Sequence, residues 1–299
     1  MTGGIAIAIL AHALIAVSLL WDKILLRRPE TRNLANYVFW LGAMSVLGVL
    51  LIPFGFHWTS LGTAALGLGS GAVSLAANWF YYRALKYGEA SQSLAVVGGF
   101  APLATALIGL GLLPNRWREG EIAAFALMVL GGFVMFGAEQ LNLPRVLPSV
   151  LWAALLFGLT NVVQKIVFND AGFVTGYVFF TLGTFAGALA LLLRPLWRRQ
   201  ILQYSEQASP ESKRGYFTNR FVSGVGSFLI YVAISKANPA MVDAISGLRY
   251  AIVFVGAFLL SRIKPSLLRE DFGRHALIGK TVATSLVAAG LALLAVEGR

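Results

Sequence analysis

The sequence predicts an all-α integral membrane protein, with ten transmembrane helices forming two inverted five-helix repeats. Three observations predict it. The first is composition: of 299 residues, 58% are hydrophobic and only 12% charged, with mean hydropathy +0.74, whereas soluble chains are roughly 25% charged. The second is the recurrence of apolar stretches of about 20 residues, the length at which a helix crosses a bilayer with its backbone hydrogen bonds satisfied internally. The third is an internal echo, in which "YYRALKYGEA" (Tyr81 to Ala90) returns as "IYVAISKANPA" (Ile230 to Ala240). At one constant offset Tyr82 meets Tyr231, Ala84 meets Ala233, Ala95 meets Ala244, Gly98 meets Gly247 and Leu110 meets Leu259.

The first span is read over Gly4 to Leu25, which lacks a basic segment before its apolar run and so reads as a span rather than a cleaved signal peptide. Spans two to five follow over Leu34 to Ile52, Ser60 to Leu85, Ser91 to Leu113 and Ile122 to Ala138. The segment "EQLNLPRVLPS" (Glu139 to Ser149), with Pro144 and Pro148, interrupts helix and divides the chain into repeats over 1–140 and 141–299. Spans six and seven are Val150 to Phe168 and Phe173 to Leu193. The longest polar stretch, Arg194 to Arg220, is too short for a core of its own and reads as a linker with a short surface helix. Phe217 to Ser235, Met241 to Ser261 and Leu277 to Val296 complete the ten. Five spans per half is an odd number, so a second copy starting where the first ends must lie upside down in the bilayer. Inverted repeats of this kind recur in secondary transporters, with the substrate at the repeat interface.

The net charge of +11 would point to nucleic acid in a soluble chain. Here most basic residues fall at alternate loops, among them Arg27, Arg28, Arg198, Arg199 and Arg269. This is a positive-inside bias, which expects those loops in the cytoplasm and both termini outside, and argues against a nucleic-acid partner. With no cysteine, thiol nucleophiles and Cys-ligated metals are excluded. There is no Gly-x-x-x-x-Gly-Lys-Ser/Thr phosphate loop and no His-Glu-x-x-His, and His12, His57 and His275 are scattered. Neither a metal nor a cofactor is expected, nor enzymatic activity. "GLGLGSGAV" (Gly67 onward) has the look of a dinucleotide loop but lies inside an apolar span with no strand before it. Gly67 and Gly71, like Gly183 and Gly187, fall four apart, the spacing that lets helix backbones approach in lipid.

Three stretches carry a family likeness. "LLFGLTNVVQK" (Leu155 to Lys165) resembles the opening helix of an EamA-type repeat of the drug/metabolite transporter superfamily. "YRALKYGEASQSLAVVGGFAPLATALIGL" (Tyr82 to Leu110) is similar to its third-to-fourth helix junction, including Pro102, and "FALMVLGGFVMF" (Phe125 to Phe136) to its closing helix. In the second half the position of Pro102 is taken by Ala251, after Arg249 and Tyr250, and helix one holds "SLLWDK" (Ser18 to Lys23) in place of the usual Gly-Ser-Asn-like run. The resemblance implies ten helices in a bacterial inner membrane. It also implies alternating-access movement, most often export, of a small amphipathic metabolite, with amino acids and related compounds foremost. A protein acting as a monomer or weak homodimer would need no partner beyond its solute and the bilayer. The rivals are an organic anion or sugar-phosphate exchanger, a lipid flippase and a membrane enzyme.

Polar residues within spans are the candidate site, because charge near the bilayer centre is tolerated chiefly beside water or a partner. Arg249, beside Tyr250, either binds a substrate carboxylate or phosphate through its planar fork or pairs with an acid such as Asp243 or Glu89. Asn78, Trp79 and Tyr82 either face a cavity or form an interfacial belt, with Asn78 and Tyr82 on one face and Tyr81 turned elsewhere. Asn161 and Lys165 share a face, with snorkelling the alternative for the lysine. His12, the deep ionisable residue of span one, is either a proton-coupling group or a hydrogen-bonded structural one. Gly88, Gly98, Gly99 and Gly247 are the hinge candidates.

Overall fold

A computed structural model describes residues 2–25, 33–87, 90–114, 117–137, 143–207, 209–263 and 274–297. The described chain is helical throughout, without a strand: α1 (Thr2–Leu25), α2 (Leu34–Met44) running on as a 3-10 helix (Ser45–Phe54), α3 (Leu61–Tyr87), α4 (Ala90–Leu112), α5 (Glu119–Gly137), α6 (Leu143–Leu191), α7 (Pro195–Gln207), α8 (Pro210–Lys236), α9 (Pro239–Ala244), α10 (Gly247–Ile263) and α11 (Arg274–Glu297). Among the described residues five helical segments are long and apolar enough to cross a membrane, Gly3–Leu25, Leu34–Phe54, Val146–Leu191, Pro210–Lys236 and Ile278–Val296. The chain is an all-α membrane protein. Its outer surface fits lipid, with Leu50, Leu61 and Leu193 exposed at 65%, 79% and 84%, where a soluble fold would place polar groups.

α6 is two helices in one continuous element. At Gly172 the backbone turns to φ 72°, ψ 168°, a conformation essentially confined to glycine, so the chain bends between the stretches expected as spans six and seven. α8 begins earlier than its hydropathy suggests. Ser209 caps it by accepting from the Ser212 amide, Pro210 fits the first turn, and the polar Ser212, Asn219 and Arg220 are all buried. The linker expected over Arg194 to Arg220 therefore contains the surface helix α7 and then the first turns of α8. α7 is tied to the bundle where Trp197 packs at a tilt against Trp79, 4.8 Å between ring centroids.

Small residues set the helix spacing. α3 meets the second arm of α6 so closely that a Cβ on Gly71 would collide with the Phe180 carbonyl, and one on Gly183 with the Leu68 carbonyl. Thr184 then donates from Oγ1 to the Gly71 carbonyl at 3.1 Å. In lipid, where burial of apolar surface drives little, close packing of this kind and interhelical hydrogen bonds hold helices together. The remaining pairings place α1 on α8, α4 on α6, and α5 on α11.

Replacing Gly183 or Gly71 by alanine is expected to cost roughly 1–3 kcal/mol through overpacking. Gly69→Ala, on the same stretch of α3 but with open space at its Cβ, serves as the control. Thermal unfolding of the detergent-purified proteins reads both, and equal midpoints for all three variants would refute the backbone-contact account.

Candidate functional site

A cavity of about 530 Å³ lies inside the bundle, lined by residues of α1 to α4, α6, α8 and α9, with Arg249 of α10. Its long walls are apolar and aromatic, with Leu19, Met44, Leu51, Phe157 and Phe228 among them. Polar side chains gather in two clusters at different depths. On α8 the members Arg220 and Tyr231 lie eleven positions apart, or about 16 Å at 1.5 Å per residue.

The first cluster surrounds Asp22, a fully buried acid near the end of α1. Its Oδ1 accepts from the Tyr37 hydroxyl at 2.5 Å, from Asn219 Nδ2 at 2.5 Å and from the guanidinium of Arg220, with which it forms a buried ion pair. Its Oδ2 accepts from Tyr82 at 3.1 Å, and Arg220 also donates to the Tyr82 oxygen at 2.7 Å. The guanidinium carbon lies 5.3 Å, 5.6 Å and 5.5 Å from the ring centroids of Tyr37, Tyr82 and Tyr216, within cation–π range. Tyr216 donates onward to the Tyr37 carbonyl at 2.7 Å. Four elements, α1, α2, α3 and α8, thus converge on one charge pair.

The second cluster surrounds Asp243, on the last turn of α9. Thr105 of α4 donates to its Oδ2 at 2.5 Å, and Asn161 of α6 donates to both oxygens at 2.9 Å and 3.0 Å. Nearby, Arg249 donates from Nε to His12 Nδ1 at 2.6 Å. An arginine only donates, so Nδ1 is the accepting nitrogen and the Nε2–H of His12 donates to the Val242 carbonyl at 2.8 Å. His12 is therefore a neutral imidazole with both nitrogens engaged, and charging it would require breaking the Arg249 bond.

Of the residues singled out from the sequence, Asn78, Tyr82, Asn161 and Arg249 line the cavity. So does Tyr81, which helical spacing alone turns elsewhere; the cavity is wide enough for both faces to border it. Asn78 donates to the Ser74 carbonyl at 2.9 Å. Trp79 packs against Trp197 instead. Lys165 donates to the Ser235 carbonyl at 3.0 Å and is not part of the lining. Tyr250 lies in α10 with its side chain outside the described residues, and Gly88 lies outside them altogether. Gly98 sits within α4. Gly99 packs against the Gly132 backbone, and a Cβ on Gly247 would meet Val287 of α11 at 2.7 Å. Asp22, Tyr37, Asn219 and Arg220 do not stand out in the sequence, because residues close to the ends of apolar runs read as interfacial. The available signal is the run of buriable polar residues at the start of α8.

No protein-family model matches the sequence, and no curated protein does. A solved structure described only as "Crystal structure of protein" aligns over 99% of this chain and 97% of its own, with a TM-score of 0.63 at 17% identity. At that identity the likeness is one of fold alone.

Breaking the buried pair is expected to be severe: Asp22→Ala or Arg220→Ala alone should cost about 3–5 kcal/mol, since each leaves an uncompensated charge. Asp22→Leu combined with Arg220→Met should cost less than either single change. Thermal unfolding of the four proteins checks this, and simple additivity would contradict it.

Proposed function

We propose that the chain is a secondary transporter that moves a small amphipathic metabolite, an amino acid or related compound, across the inner membrane of a bacterium, in the direction of export. The observation that carries this reading is the cavity itself, a space of about 530 Å³ in the middle of an apolar bundle that brings Asp243, Asn161 and Arg249 to one wall. Small-molecule sites are concave and mostly apolar, with a few convergent polar groups, and ionisable groups at such depth mark solute pathways.

In this reading ten spans form two inverted repeats. The packing supports it. α1 on α8 has its counterpart in the first arm of α6 on α3, where Trp152 stacks with Phe80 at 6.2 Å. α4 against the first arm of α6, through Gly158 and Ala104, has its counterpart in α10 against α1, through Gly256 and Leu20. α5 and α11, the closing helix of each half, pair with each other. The cavity lies between the halves, where an inverted-repeat transporter binds its substrate.

Mechanistically, Arg249 holds the anionic group of the solute by its planar fork while Tyr82, Asn78 and the aromatic walls take the body. The Asp22–Arg220 cluster closes the end facing the arginine-rich loops, which the charge bias assigns to the cytoplasm. Rocking of the halves then exposes the cavity to the two sides in turn. A sugar-phosphate exchanger would call for further cations beside Arg249; the other lining arginine, Arg220, is paired with Asp22, and Lys165 is not among the lining residues.

Counterflow in proteoliposomes loaded with amino acids and phosphorylated metabolites, read by mass spectrometry, tests the reading. An unchanged solute should cross. Arg249→Ala should abolish its movement, and Arg249→Lys should lose most of it, because a point charge does not reproduce bidentate geometry. A chemically altered product with no net crossing would make the protein an enzyme instead.

A further inference from the structure

We infer that Asp243, with the aromatic wall beside it, is a subsite for an organic ammonium group. This rests on the cavity being a solute site as proposed above, and adds which charge the solute carries and where.

The buried carboxylates of the two polar clusters, Asp22 and Asp243, are held in opposite ways. Asp22 is neutralised by the Arg220 guanidinium. Asp243, only 9% exposed, receives hydrogen bonds from the hydroxyl of Thr105 and the amide of Asn161, both neutral. Arg249, whose charge is near enough to act on it, spends its Nε–H on His12. A buried carboxylate is costly unless a cation is brought against it, and this one borders an open cavity rather than a packed core. Thr105 and Asn161 orient the carboxylate without supplying a cation, so a cationic visitor is the group that would complete it.

The second, independent observation is the aromatic lining of the same cavity. Tyr177, Phe180, Phe228 and Tyr231 also line the cavity, with Phe180 and Tyr231 at 4.4 Å between centroids and Tyr177 and Phe228 at 5.3 Å. Tyr231 lies within electrostatic reach of Asp243. Aromatic faces attract ammonium groups, and an acid beside several rings is the chemistry that recognises them. Around Arg220 the same protein already seats a guanidinium among three tyrosines. Among the described residues the second ring set has no protein cation over it. A primary ammonium on an apolar body fits: its charge meets Asp243 while the carbon skeleton lies on the rings.

The test is equilibrium binding to detergent-purified protein, by calorimetry, of two probes with similar bodies, phenethylamine and 3-phenylpropionate. The wild type should bind the amine. Asp243→Asn should weaken it about tenfold or more without weakening 3-phenylpropionate or lowering the unfolding midpoint. Phe180→Leu should weaken the amine while the carboxylate anchor is intact. Where Asp243→Asn fails to fold, Asp243→Glu keeps the charge and must retain amine binding. An amine that does not bind the wild type, or binds Asp243→Asn or Phe180→Leu equally well, overturns the subsite. Because binding is read without a gradient, an amine that binds but no solute that crosses in counterflow would sink the transport reading and leave the subsite standing.

Discussion

The Asp22–Arg220 ion pair is the constraint on which the bundle depends. Both groups are almost wholly buried between α1 and α8, so each charge must be met from within the protein. Every neighbour supplies something: hydroxyls from Tyr37 and Tyr82, an amide from Asn219, and ring faces from three tyrosines. The donors come from segments far apart in sequence, and the pair can form only when α1, α2, α3 and α8 have reached their final places. A buried ion pair adds less stability than a packed apolar contact of equal size. What it contributes is register: a slide of one turn along α8 would strand both charges in an apolar medium.

Asp243 shows the opposite use of the same residue type. Its donors orient it and rings line the same cavity, but the nearest protein cation shown acting on it, Arg249, donates its Nε–H to His12. The two acids thus divide the cavity into a closed, internally neutralised end and an end where fixed charges of both signs line open space. That division gives the cavity a direction along the bundle axis, which an apolar tunnel of equal volume would lack.

The helices were legible in the sequence because hydropathy needs only a window of local residues. The glycine spacing on α3 and the second arm of α6 was legible for a related reason: Gly67 and Gly71 repeat with the helix, and the structure brings Gly71 and Gly183 into backbone contact with the facing helix. The polar half of the site was less so. Asn161, Tyr82 and Arg249 stood out as polar residues in apolar runs, but their partners are 60 to 237 positions away, and no local pattern carries that information. Arg220 was concealed by its setting, since a hydropathy scale counts an arginine among polar residues as loop. Its burial depends on Asp22 and on Tyr37, Tyr82 and Tyr216, none of them near it in sequence except Tyr216.

One wall of the cavity differs physically from the rest. Span two leaves the α-helical form at Ser45 and continues for ten residues as a 3-10 helix, where runs beyond three or four residues are uncommon. The Ser45 hydroxyl bonds the Gly42 and Thr181 carbonyls at 2.6 Å and 2.8 Å, anchoring the point of change to the second arm of α6. Beyond it no residue of the 3-10 stretch is buried, although Leu47, Gly48, Leu50 and Leu51 face the cavity. A 3-10 helix rises about 2.0 Å per residue against 1.5 Å, so the segment is stretched along the bundle with poorer hydrogen-bond geometry, held against the second arm of α6 where Gly48 packs on Thr181. In α-helical form the same ten residues would be about 5 Å shorter, so the 3-10 form lengthens this wall of the cavity.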